Sequence, residues 1–160
     1  MDEQQQKAFR EAVAKTPAEA FFGNNKAAEL FAVADALLEG EILLKEGKTA
    51  AGLESLRQAA KAEDMLRYDE PPDWIQPVRH ALGAALLKYG EPAEAEQVYR
   101  TDLHRWPENG WSLFGLARSL EAQAKKDEAA EVTQRFEEVW KRADVELSSS
   151  CFCQQEDKSR

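Results

Sequence analysis

The two cysteines of the chain stand one residue apart, as Cys151-Phe152-Cys153. A Cys-x-Cys pair can bind a soft metal or exchange between thiol and disulfide. A structural zinc site takes four ligands, so this pair supplies half of one. His104 or a second chain could complete it, but the spacing does not require that. The plainer reading is two thiols in a loose tail, with Phe152 packing back on the last helices. In a cytoplasmic setting no structural disulfide is expected. There are two histidines, His80 and His104. They fall on successive helices and on different faces, so neither a Cys–His nucleophile pair nor a two-histidine metal site is expected.

A second chemical cluster is Tyr68-Asp69-Glu70-Pro71-Pro72-Asp73-Trp74, with three carboxylates close together. Such a group could hold a cation or serve as an acid/base pair. Calcium loops, however, carry glycine and regularly spaced oxygen ligands. A rigid linker, with Asp73 as a cap and Trp74 as an anchor, accounts for the same residues. Asn109-Gly110-Trp111 reads as a turn leading into a helix. No nucleophile stands with a base and an orienting group, so an enzyme is not expected, and no cofactor is implied.

The surrounding elements follow from composition and periodicity. The chain has 160 residues, 21 basic and 30 acidic, a net charge of −9. That balance argues against nucleic-acid binding, which usually shows a basic footprint, and against docking on anionic membranes. No apolar run approaches the roughly 18 residues of a membrane span. The polar start MDEQQQK does not resemble a signal peptide, so a cytoplasmic protein is expected. Richness in Ala, Glu, Leu, Lys and Gln favours helix.

Residues 1–15 carry one weak apolar face through Phe9 and Val13. Thr16-Pro17-Ala18-Glu19 reads as a helix start. Asn25 can cap a helix over about 26–45, which Gly47 ends. Thr49 can cap a second helix, to about Arg67. Consecutive prolines exclude helix over 68–73. A third helix holds Val78, Leu82, Ala85, Leu86 and Tyr89 at helical spacing and stops at Gly90. Pro92 opens a fourth. A fifth runs from about Trp111 to Ala124. Asp127 can cap a sixth, reaching about Asp144.

These elements repeat. Gly47, Gly90 and Ala124 are separated by 43 and 34 residues. The same intervals join Gly40, Gly83 and Ala117, then Gly52, Ala95 and Ala129, and the apolar Leu43, Leu86 and Leu120. A 34-residue helix–turn–helix unit is the tetratricopeptide period. Over about 27–144 the chain resembles the tetratricopeptide repeat family, most clearly at Leu82-Gly83, Leu86, Gly90, Ala95, Tyr99 and Pro107. It departs from that family in lacking Trp in the first helices, in Asp102 at a usual Ala, and in Lys141 at a usual Pro. The segments YDEPPDW, NGWSLFGLA and RADVELSSSCFC are similar to the C-terminal part of longer tetratricopeptide-repeat proteins of unassigned function.

The resemblance implies an all-α, right-handed α-solenoid of three hairpins, about 27–67, 73–106 and 110–144. These make a repeat domain over 25–147, with an N-terminal helical extension over 1–24 and a flexible tail over 148–160. It also implies a concave groove lined by Glu41, His80, Lys88, Trp111, Phe114 and Arg118, suited to an extended peptide with one acidic group. Trp111 would be the apolar platform, Arg118 the anion partner and His80 a polar contact. Alternatively, Trp111 and Phe114 are inter-helix core and His80 is solvated. The carboxylate clamp of co-chaperone members is absent: Leu37, Glu41, Ala81, Trp111 and Gly115 stand at its positions. Three functions remain: a non-catalytic peptide-binding scaffold, a metal or redox accessory using Cys151 and Cys153, and a structural segment that self-associates through its N-terminal edge unless residues 1–24 cover it.

Overall fold

The computed structural model describes residues 3–151. Among them are seven helices and one short two-stranded ribbon. The chain forms two compact units, dividing after Val78. The first contains α1 (Glu3–Val13), the strands β1 (Phe21–Phe22) and β2 (Asn25–Lys26), α2 (Ala27–Lys45) and α3 (Thr49–Asp64). The second contains α4 (Val78–Lys88, from Arg79 on), α5 (Pro92–Arg105), α6 (Gly110–Ala122) and α7 (Lys126–Trp140). No helix among the described residues is long and apolar enough to cross a membrane.

The three repeated stops share one geometry. Gly47, Gly90 and Ala124 all take positive φ, at 79°, 83° and 59°. The next residue in each case donates its N–H to the carbonyl of the repeated leucine: Lys48 to Leu43, Glu91 to Leu86 and Lys125 to Leu120, at 2.9, 2.9 and 3.0 Å. This left-handed cap satisfies carbonyls that the helix end leaves open. Gly47 and Gly90 adopt it freely, whereas Ala124 carries a Cβ into a region L-residues disfavour.

In the first unit, α2 packs on α3 around Val33, Ile42, Leu53 and Leu56. Glycine faces glycine across this seam. A Cβ on Gly52 would lie 3.0 Å from the Gly40 carbonyl oxygen, and one on Gly40 would lie 3.1 Å from that of Gly52. The α1 helix covers part of α2: Phe9 meets Phe31 edge-on at 6.2 Å, and Arg10 reaches Asp35 and Glu39 at 2.7 and 2.8 Å. In the second unit, α5 packs on α6 and α6 on α7, around Leu113, Leu116 and Leu120. Residues 81–86 of α4 are all buried, enough to cover every side of the helix.

Several expected starts fall elsewhere. No helix begins at Thr16; its hydroxyl instead bonds the Ala12 carbonyl beyond the end of α1. Phe21–Phe22 then pairs antiparallel with Asn25–Lys26 across Gly23, which has φ +56°. Lys26, Lys48 and Lys125 occupy the cap positions expected for Asn25, Thr49 and Asp127. Asn109 does cap α6, accepting from the N–H groups of Trp111 and Ser112 at 3.0 and 3.3 Å. The tail is not loose at its start, because Ser150 and Cys151 are buried.

Candidate functional site

The second unit is organised around Tyr99, which is fully buried. Its ring lies against Gly83 of α4 and Gly115 of α6. A Cβ added at either would stand 2.3 or 2.2 Å from the ring carbon that bears the hydroxyl. No side chain larger than hydrogen fits there, so the two glycines make the slot and α5 fills it. The phenol oxygen emerges beside Ser150 and hydrogen-bonds its Oγ. The same Oγ donates to the His80 carbonyl at 3.4 Å. Burial pushes the Tyr99 phenol well above its usual range, so it is a neutral hydroxyl at any ordinary pH.

Three of the expected site residues turn inward. His80 is not solvated: its side chain is 12% exposed, and Nε2 bonds Asp102 Oδ2 at 3.2 Å. Ser112, also buried, donates to the same oxygen. Serine, histidine and aspartate are thus together, but in an order unsuited to nucleophilic catalysis. The serine meets the carboxylate rather than the imidazole, so the imidazole does not receive its proton as in a Ser-His-Asp triad. The arrangement holds a buried carboxylate with two donors, as burial requires. Trp111 and Phe114 pack on α7. Trp111 meets Trp140 edge-on at 5.7 Å, Phe114 meets Phe136 at 5.6 Å, and Phe136 stacks on Trp140 at 5.6 Å. Here the core alternative describes Trp111 and Phe114 better than a free platform does.

Arg118 and Lys88 remain exposed. Arg118 lies 5.4 Å over the Phe114 ring and reaches Glu121 at 3.2 Å. It stands three residues beyond Gly115, close to the face that receives Tyr99. The Lys88 ammonium is 5.8 Å from the Tyr89 ring centre. The Glu96 carboxylate ties α5 to the turn after α6. It accepts from Lys125 at 2.6 Å and from Arg100 and Gln123 at 2.8 Å. The Lys125 ammonium, aided by Arg100 and Gln123, holds its pKa down to about 2 against the opposing effect of burial.

Glu41 belongs to the first unit, on α2, where partial burial raises its pKa. The acidic insertion is there too, and it is pinned. Asn25 is 1% exposed. It accepts from the Arg67 N–H at 2.6 Å and donates to the Arg67 carbonyl and to Asp73 at 3.1 and 2.7 Å. Asp69 accepts from Asn24 N–H at 3.2 Å, and Tyr68 donates to Glu70. Asp73 is therefore spent on Asn25, and α4 begins five residues later. Trp74 is partly buried, and its Nε1 has no hydrogen-bond partner. With Phe22 and Ile75 the loop shapes a cup of about 260 Å³. Among the described residues no three His, Cys, Asp or Glu side chains group as metal ligands. Cys151 is buried, and Cys153 lies outside the described residues.

The residues missed as parts of a site were Ser150, Asp102, Ser112 and Glu96. Asp102 had a signal, a carboxylate at a position where a small apolar residue is usual. Ser150 had none, since a serine run reads as a tail. The chain matches no protein-family model, no curated protein and no solved structure.

Proposed function

We propose that the chain is a non-catalytic scaffold whose second unit holds a peptide segment on the face shared by α4 and α6. The observation that carries this reading is the Tyr99 slot, whose hydroxyl lies between α4 and α6 and is met by the hydroxyl of Ser150, with the exposed Arg118 three residues beyond Gly115 on α6. A preformed polar anchor of this kind lowers the ordering cost of binding an extended segment. Arg118 and Lys88 would favour a ligand with an acidic group. The three left-handed helix stops support reading 27–144 as tetratricopeptide-like hairpins of a right-handed solenoid, and a cytoplasmic setting suits the acidic composition.

A displayed random-peptide library, panned on the wild-type chain and on a Lys88→Glu, Arg118→Glu variant, tests this. Both positions are exposed, so the variant should keep its circular dichroism spectrum. Enrichment of acidic peptides on wild type, lost on the variant, supports the reading. Equal enrichment on both moves binding off this face. No enrichment on either, nor on a Ser150→Arg chain, removes the peptide function.

A further inference from the structure

We infer that the α4–α6 face reads a small hydroxyl side chain, and that its resident ligand is the chain's own segment 148–151, seated through Ser150. The inference rests on the peptide-binding reading above and adds what the site recognises and what keeps it closed. Ser150 is 3% exposed although it ends a run of three serines. Such a run gains little from burial itself, so what holds it must be specific. The contacts are the Tyr99 hydroxyl and the His80 carbonyl, a donor–acceptor pair that a serine Oγ can meet at once.

The seat does not depend on the tail for its shape. Gly83 and Gly115 fix the Tyr99 ring, and the α5–α6 packing fixes its helix. A Cβ on either glycine would stand 2.7 or 2.6 Å from the hydroxyl itself, so the oxygen protrudes at the level of the two helix backbones. When the tail leaves, a buried phenol loses its partner and is left to water or to another hydroxyl. Serine or threonine in a foreign segment satisfies the same pair. An aliphatic residue of similar size does not.

Tethering sets the strength of the closure. Nine residues, 141–149, join the end of α7 at Trp140 to Ser150. A short flexible tether presents its end at an effective concentration on the order of millimolar. A free segment making the same contacts must compete with that. The intact chain should therefore reject weak ligands and accept only those with contacts beyond the hydroxyl, for which Arg118 is placed.

The test uses the full chain and a fluorescein-labelled peptide of residues 143–151. Ser150→Arg enlarges and charges a buried side chain, which should eject the tail. By fluorescence anisotropy the peptide should bind the Ser150→Arg chain at least about tenfold more tightly than wild type. A peptide carrying alanine in place of Ser150 should lose that binding. Should Ser150→Arg fail to fold, Ser150→Ala removes only the hydroxyl and should open the site partially. Amide exchange on wild type needs no variant, and protection at Ser149–Cys151 is expected. Equal peptide binding to wild type and variant, or no protection, overturns the inference. Library peptides that select on Lys88 and Arg118, with no tail-peptide binding to either chain, overturn the tail assignment and leave the peptide reading standing. Failure of both peptide types overturns both.

Discussion

Glycine serves two different purposes in the two units. Between α2 and α3, Gly40 and Gly52 let backbone approach backbone, and the nearest side-chain atoms are the Cγ and Cδ2 of Leu56 and Leu44. Between α4, α5 and α6, Gly83 and Gly115 make room for a rigid ring. Leucine can turn away from an intruding methyl, whereas a ring held on both faces cannot. Residues in one column of a repeat can thus have the same size for different mechanical reasons.

The largest effect is expected where the ring is. Gly115→Ala places a methyl inside the Tyr99 ring and should destabilise by about 3 kcal/mol or more, the upper range of overpacking. Gly40→Ala should cost only about 1 kcal/mol, because leucine movement and the higher helix propensity of alanine offset part of the clash. Urea unfolding of the two variants decides the matter. Equal losses would show that backbone proximity, not ring rigidity, governs both seams.

Charge contrasts the units as well. Glu96 has its pKa lowered from 4.5 to about 2 by Lys125, Arg100 and Gln123. Its contribution is present above pH 4.5 and fades as pH falls toward 2. Glu41 is shifted the other way by burial. Its folded form resists ionisation, so stability at this residue is present at low pH and is lost as pH rises through its folded pKa. Glu96→Gln should therefore destabilise at pH 7 by about 1–3 kcal/mol, with the loss shrinking below pH 4.5 and vanishing only below about pH 2. Glu41→Gln should stabilise at pH 7 by less, with no effect in acid. Thermal melts of both variants at pH 7 and pH 3 check the two signs: at pH 3 the Glu41 effect is gone, while the Glu96 loss is reduced but not abolished, because pH 3 still lies above its folded pKa of about 2.

The smallest effect concerns the stops. Gly47 and Gly90 already have the residue their φ requires, and Ala124 does not. Ala124→Gly should raise stability by about 0.5–1 kcal/mol, the relief of a left-handed Cβ less the added freedom of glycine in the unfolded chain. A rise of a few degrees in melting temperature would show it. Gly90→Ala, made beside it, should give the opposite sign.

The helices and their stops were legible because each rests on local chemistry. Helical spacing, prolines and left-handed glycines act within one turn. Even Ala124 was legible, by its place in the column with Gly47 and Gly90. The errors came where a distant partner outbid a local one. Asn25 has the side chain of a helix cap, yet Arg67 and Asp73 claim it. Thr16-Pro17 has the chemistry of a helix start, which serves a turn equally well. The ribbon was invisible because two residues per strand carry no alternation. His80 reads as a groove contact, or alternatively as solvated, because its partner Asp102 is 22 positions away. Trp111 and Phe114 held a clue: Phe136 and Trp140 place a second aromatic pair at helical spacing on the next helix, which favours mutual packing.

One ring shared among three helices also bears on how the second unit comes apart. Tyr99 belongs to α5, but its fit is made by α4 and α6. None of the three can peel away without emptying or exposing that slot. Local opening of α4, α5 or α6 alone then has no low-energy form, and the three exchange with solvent as a single cooperative block.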